Sequence, residues 1–312
     1  MDAVISSIEV VVPIYFMIAI GYAANRFGIF SRDTLKEMNQ SVFRLFLPML
    51  LFENMYQSEV SVADGGLIVY AAACAICIYL VCCVSAFRFI SDRARAATVA
   101  QGMYRSNFAL LGIALTATMY GSDNTGVTGM LVAVIVPFYN VLAVILFEVS
   151  KGTRKPDLSK IFFGVLKNPL IIGTALGLLC NITGIQIPQM VNSAVISLGQ
   201  IATPLALIVM GGNFELRQTI HNGKALMTVT AVRLVLIPLV FTIVSVLLGF
   251  RQKELYALFL MFATPTAVAS YAMACAMGGD EDMAGEIVLV TTVLSLFTIG
   301  TGVFALKTLS FI

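Results

Sequence analysis

Two short polar strings interrupt otherwise apolar sequence, and their residue types set the chemistry open to this chain. The first is Arg105-Ser106-Asn107, within Gln101-Gly-Met-Tyr-Arg-Ser-Asn-Phe-Ala-Leu-Leu-Gly112. The second is Thr264-Pro265-Thr266, within Met261-Phe-Ala-Thr-Pro-Thr-Ala-Val-Ala-Ser-Tyr271. Proline removes a backbone donor and clashes with the preceding turn, and flanking threonine hydroxyls can satisfy the groups it frees. A helix broken there exposes the start of a new half-helix, whose free N–H groups and dipole favour an anion. With Arg105 beside one such start, the arrangement suits a carboxylate: amides after Asn107 and after Pro265 donate, and Asn107 orients. Asn140, next to Pro137 and Tyr139, is expensive in lipid and is expected to face the same pocket or a partner helix. The candidate substrate-binding set is therefore Arg105, Ser106, Asn107, Asn140, Thr264, Pro265 and Thr266. Arg105 has two alternatives, structural pairing or snorkelling to the membrane face about eight residues away.

These strings need elements to hold them, and the composition says of what kind. The 312 residues are 59% hydrophobic and 12% charged, with one His and no Trp. Soluble domains carry about 25% charged residues, so the natural solvent here is lipid. A spanning helix needs roughly 20 mostly apolar residues. Ten stretches qualify, near 7–27, 37–56, 65–87, 97–119, 126–148, 161–180, 189–212, 224–248, 254–277 and 284–307. Each is too long for a strand, which excludes a membrane β-barrel. The expected class is an all-α polytopic membrane protein. Arg105 falls about eight to ten residues into the fourth span, roughly 12–15 Å deep. An Arg at that depth costs on the order of 2.5–3.5 kcal/mol on insertion scales, so it must face protein or water.

The chain also repeats itself. Pro13, Gly21, Asn25, Gly28 and Pro48 are matched by Pro169, Gly177, Asn181, Gly184 and Pro204, each pair 156 positions apart. Later the register slips by two, so that Asn107 lies over Pro265. Five spans per copy is an odd number, so the second copy enters the membrane upside down: a 5+5 inverted repeat in which broken fourth and ninth spans cross near the midplane. The domains expected are 1–150 for the first repeat, 151–160 for a cytoplasmic linker and 161–312 for the second repeat. Asn25-x-x-Gly28 and Asn181-x-x-Gly184 read as helix C-terminal caps. Pro48 and Pro204 predict kinks in the second and seventh spans. Arg233, deep in the eighth, needs an acidic or carbonyl partner that the sequence does not name.

Lys and Arg gather in loops that lie inside if both termini lie outside, leaving only Arg251, Lys253 and Lys307 on the outer side. The expected location is the plasma (inner) membrane. The first nine residues, with Asp2 and Glu9, lack a basic n-region, so the first apolar run is read as a span and not a signal peptide. A net charge of +2 offers no nucleic-acid face. All six cysteines fall inside spans and read as small packing residues, with no disulfide, metal or cofactor implied. Intramembrane hydrolysis is disfavoured: Asp123 and Asp280–Asp282 sit at span ends, and His221 is in a loop. Glu53, near the end of the second span, reads as interfacial, with a protonatable coupling role as the alternative.

At Val12-Pro-Ile-Tyr-Phe-Met-Ile-Ala-Ile-Gly-Tyr22, Leu47-Pro48, Asn107…Gly112 and Ala263-Thr264-Pro265, the chain resembles the auxin efflux carrier family, which includes bacterial malate/malonate-type permeases. The resemblance covers essentially the whole chain. It implies ten spans in a fold like that of bile-acid symporters and sodium/proton antiporters. Spans 1, 2, 6 and 7 would form a scaffold and homodimer interface. Spans 3–5 and 8–10 would move elevator-fashion, carrying a small carboxylate anion at the crossover. Where family members often have Pro in the fourth-span break, this chain has Ser106-Asn107. The alternatives are a sodium- or proton-coupled symporter or antiporter of the same fold, and a membrane sensor or scaffold without transport.

Overall fold

The computed structural model describes residues 2–58, 65–152, 158–214 and 222–312, and they are almost entirely helical. His221, Arg217 and residues 153–157 of the expected linker, with Arg154 and Lys155, lie outside the described residues. In chain order the helices are α1 (Asp2–Arg26), α2 (32–56), α3 (Gly65–Phe89), α4 (Arg93–Tyr104), α5 (Phe108–Tyr120) and α6 (Gly126–Lys151). There follow α7 (Leu158–Leu166), α8 (Pro169–Thr183), α9 (Gln189–Gly212), α10 (Gly223–Leu247), α11 (Gln252–Ala263), α12 (Ala269–Met277) and α13 (Glu281–Thr308). Five of them, α3, α6, α9, α10 and α13, are long and apolar enough to cross a bilayer, and α5 and α8 are shorter apolar helices. All six cysteines are free.

The caps read from the sequence are formed. Gly28 and Gly184 both adopt positive φ, +74° and +68°. At each site the glycine amide bonds back to the asparagine carbonyl, Gly28 to Asn25 (3.0 Å) and Gly184 to Asn181 (3.2 Å). The next amide reaches one residue further back, Ile29 to Ala24 and Ile185 to Cys180. Only glycine enters this left-handed geometry without strain.

The prolines behave less uniformly. Pro48 follows a π-turn at Val42–Phe46, which takes up the misfit a mid-helix proline creates. Pro204, expected to kink its helix, lies inside the continuous α9. The stretch 161–180, read as one span, is two helices, because Asn168 caps α8 by accepting from the Leu170 amide (3.0 Å) and Pro169 takes its first turn.

The helices sort by what they touch. α1 packs along α9, and α2 packs along α8 and α9. α3, α4 and α6 pack on one another, as do α10, α11 and α13. Arg95 of α4 donates to Asn222 (2.7 Å) beside α10, and Asn222 donates to Glu286 of α13 (2.9 Å). One of the close glycine contacts in the first group repeats. A Cβ on Gly21 would collide with the Ile208 carbonyl, and a Cβ on Gly177 with the Phe52 carbonyl. Gly21 and Gly177 are 156 apart, and so are Phe52 and Ile208. One helix–helix contact therefore occurs twice, once from each half of the sequence. Such close backbone approach is how helices bind each other where lipid supplies no hydrophobic drive.

Valine at Gly21 or Gly177 is expected to destabilise the detergent-purified protein by about 1–3 kcal/mol through overpacking. Gly66→Ala, where nothing lies within 4 Å of the new Cβ, should leave the melting curve unchanged. Equal melting temperatures for all three variants would refute this account of the glycine contacts.

Candidate functional site

Both broken helices are broken, and at the residues the sequence indicated. α4 ends at Tyr104, Arg105 is extended (φ −85°, ψ 111°), and α5 starts after Asn107. α11 ends at Ala263, Thr264 is extended (φ −65°, ψ 148°), and α12 starts at Ala269. The two extended strips run antiparallel and pair through a bridge between Ser106 and Thr266. The Asn107 amide donates to the Pro265 carbonyl (2.7 Å), and the Ala267 amide to the Arg105 carbonyl (3.3 Å). Each interruption thus satisfies part of the other's exposed backbone.

Further C-terminal carbonyls are taken up by two side chains. Thr266 Oγ1 donates to the Gly102 carbonyl (2.7 Å). Arg233 is completely buried. Its Nε and Nη2 donate to the Thr264 carbonyl (3.0 and 2.7 Å), and Nη2 also reaches the Met261 carbonyl (3.3 Å). Nη1 reaches the Met103 and Tyr104 carbonyls, both at 3.4 Å. One guanidinium therefore caps the C-terminal ends of α4 and α11 together, where helix dipoles favour a cation. The partner that sequence reasoning left unnamed is the backbone of both breaks. No side-chain pattern could have announced it.

The N-terminal ends point elsewhere. Ala109 and Leu110 of α5, with Ala267, Val268 and Ala269 leading into α12, line a cavity of about 230 Å³. The first amides of a helix have no intrahelical acceptor. Arg105, Ser106, Asn107 and Asn140 line the same cavity. Arg105 does not snorkel: it is 4% exposed, and its guanidinium bonds Asn140 Oδ1 and Met273 Sδ. With Asn140 oriented by that bond, its Nδ2 is buried without a protein partner, and so is Asn107 Nδ2. Among the described residues the cavity lining has no Asp, Glu or Lys. Two buried amide donors, Asn107 Nδ2 and Asn140 Nδ2, thus stand beside a guanidinium without a protein acceptor, which suits an anion.

Thr264, Pro265 and Thr266 do not line the cavity. They form the crossing itself, and the side of the second break that faces the cavity is Ala267–Ala269. Sequence reasoning also missed Asn54, Thr203 and the Arg105 partner Met273, all set by helix rotation. The opposite wall is apolar, built from α2, α8 and α9 by residues such as Leu47, Leu51, Leu170 and Ala206. Through Leu51, Asn54 and Val136 the cavity adjoins a second one of about 330 Å³ that reaches Gln57, Ser58 and Thr125 at one end of the molecule. Toward the other end, three asparagines in or at the ends of the wall helices hold α12: Asn39 donates to the Ala272 carbonyl (3.4 Å), Asn213 to Tyr271 Oη (2.9 Å) and Asn168 to Met277 Sδ (3.8 Å).

The profile of the family described as "Membrane transport protein" matches residues 6–301. The chain is 24% identical over 312 aligned positions to an uncharacterized transporter of Methanothermobacter thermautotrophicus, covering 94% of this chain and 96% of that one. It is 21% identical over 271 positions to the uncharacterized transporter YfdV of Escherichia coli strain K12, covering 84% and 85%.

Replacing Arg233 with Gln leaves several buried carbonyls without a donor. Hydrogen bonds to a charged group are worth about 1.5–3 kcal/mol each, so the variant should lose at least about 3 kcal/mol, read as a lowered melting temperature. Arg233→Lys keeps the charge but cannot span both helix ends, and should recover only part of the loss. A wild-type melting curve for Arg233→Gln would show that the crossing holds without its cap.

Proposed function

The chain belongs to the membrane transport protein family, and on that premise we propose that it is a secondary transporter of small organic carboxylate anions, working by alternating access. One observation carries the reading: two half-helix N-termini, Arg105, Asn107 and Asn140 converge on one cavity whose described lining has no acid. A carboxylate there takes a guanidinium on one side and amide donors on the others. Sodium/proton antiport in a fold of this kind uses carboxylates at the crossover, so the acid-free lining favours anion transport over that alternative.

The proposed topology is ten spans in a 5+5 inverted repeat. α4 and α5, at 12 and 13 residues, are each about 18–20 Å long. Neither crosses an apolar core of about 30 Å alone, and together they supply one span, as do α7 with α8 and α11 with α12. The repeated glycine contact supports the inverted repeat. The group α1, α2, α8 and α9 is the proposed scaffold and homodimer interface, and the other helices are the moving unit. Both termini are placed on the outer side of the plasma membrane.

In this conformation the site is reached from the end bearing Gln57 and closed toward the end bearing Asn213. The inverted repeat indicates how that changes over. Subtracting 156 from Asn213 gives Gln57, and subtracting the slipped 158 from Tyr271 gives Ile113. Asn213 and Tyr271 touch, whereas Gln57 and Ile113 line the open vestibule. Exchange of roles between the two halves closes the second pair and opens the first.

Thermal stabilisation against a panel of mono- and dicarboxylates, with and without sodium, tests the site. A ligand at about 100 times its dissociation constant adds about 2.7 kcal/mol of stability. Asn107→Ala keeps the backbone bond to Pro265 and should weaken binding about tenfold or more through loss of one charge-assisted donor. Silence across the panel argues against carboxylates. In a background without native cysteines, Asn213→Cys with Tyr271→Cys should cross-link in the resting protein. Gln57→Cys with Ile113→Cys should cross-link only during turnover, and its failure to do so would refute the exchange of roles.

A further inference from the structure

The charge balance of the cavity goes further, and the step rests on the transport reading above. Arg105 is the only ionic side chain among the described residues of the lining. A guanidinium carries five N–H donors and no acceptor, and this one has two neutral partners, Asn140 Oδ1 and Met273 Sδ. The other buried guanidinium, Arg233, is bonded to carbonyls at the C-terminal helix ends and is not part of the cavity lining. The empty site therefore holds one uncompensated positive charge. The wall it would slide along during alternation presents Leu47, Leu50, Leu51, Leu170 and Ala206, with Asn54 and Thr203 as its polar members. An uncompensated charge moved past such a surface loses water and gains nothing in return.

We propose that this protein is an electroneutral exchanger of monovalent carboxylates, because Arg105 stops the empty site from returning. A single carboxylate cancels the charge, taking two parallel N–H donors from Arg105 and further donors from Asn107 and Asn140. Its remainder lies against the aliphatic wall, so the ligand has one anionic end and one apolar end. A dicarboxylate would leave its second charge facing that wall with no second cation, and the loaded site would be anionic. Only the site occupied by a monoanion is neutral, so only that form crosses readily. Each outward passage then requires an inward passage of a second monoanion.

The full-length protein in sealed vesicles tests this with labelled pyruvate, lactate, benzoate and phenylacetate, and with malonate and succinate as dicarboxylates. At least one monocarboxylate should leave roughly a hundredfold faster when a monocarboxylate is present outside than when none is. A potassium–valinomycin potential should leave the exchange rate unaltered. In Arg105→Met the empty site is neutral, so exchange should slow while net efflux rises toward the exchange rate; an Arg105 that served only packing would slow both together. Net efflux matching exchange in the wild type, flux driven by the potential, or preference for malonate or succinate would overturn the exchange proposal and leave transport standing. No flux of any anion in either mode would overturn the transport reading and this inference with it.

Discussion

The structure depends on how an interrupted backbone is satisfied where water is scarce. An unpaired peptide group in hydrocarbon costs several kcal/mol, and each of two interrupted helices strands a set of them. The solution is to interrupt both at the same place. The strips at Arg105–Asn107 and Thr264–Ala267 bond each other, and Arg233 collects carbonyls that neither strip reaches. Neither break is tenable without the other. That explains why a chain with few polar residues puts a fully buried arginine in α10, bonded to backbone carbonyls.

This arrangement also sorts the two signs of the helix dipole. The C-terminal ends, where partial negative charge lies, are occupied by Arg233 and Thr266. The N-terminal ends, where partial positive charge lies, border the cavity with Arg105. Had an acid stood in the place of Asn107 or Asn140, the donors would be consumed and the site would suit a cation. Asparagine keeps the dipoles available, and the buried, unpartnered Nδ2 atoms of Asn107 and Asn140 show that they are.

Much of this was legible in the residues, for reasons that differ from place to place. Pro265 announces its break together with the flanking Thr264 and Thr266, since a proline alone, such as Pro204, lies inside a continuous helix. The fourth-span break has no proline and was read from the polar string and from its register with Pro265. The Asn-x-x-Gly caps were legible because glycine's freedom at positive φ is local chemistry. What was not legible depends on rotation about helix axes. The residues that line the cavity from the second break are Ala267–Ala269, not the more conspicuous Thr264–Thr266. The division at Asn168-Pro169 was in plain view as a cap and first-turn proline, but an apolar run on both sides hid it.

The glycine contacts and the contacts to α12 hold the helices together in different ways. Gly21 on Ile208 and Gly177 on Phe52 bring backbones close enough that one added methyl collides. Such surfaces lack the long side chains that could repack in a new register, so they bind firmly or not at all. The contacts between the wall helices and α12 are of another kind: three asparagine amides reaching a carbonyl, a phenol and a sulfur, two of them at 3.4 Å or beyond. Hydrogen bonds of this sort in membranes average well under 1 kcal/mol, about 0.6 by double-mutant cycles. Where α12 meets the wall helices, these weak polar contacts stand against backbone-tight contacts inside the wall group, so that boundary is the weaker of the two. That boundary runs beside the cavity, whose lining includes Ala269 of α12 and Leu47, Leu51 and Ala206 of the wall.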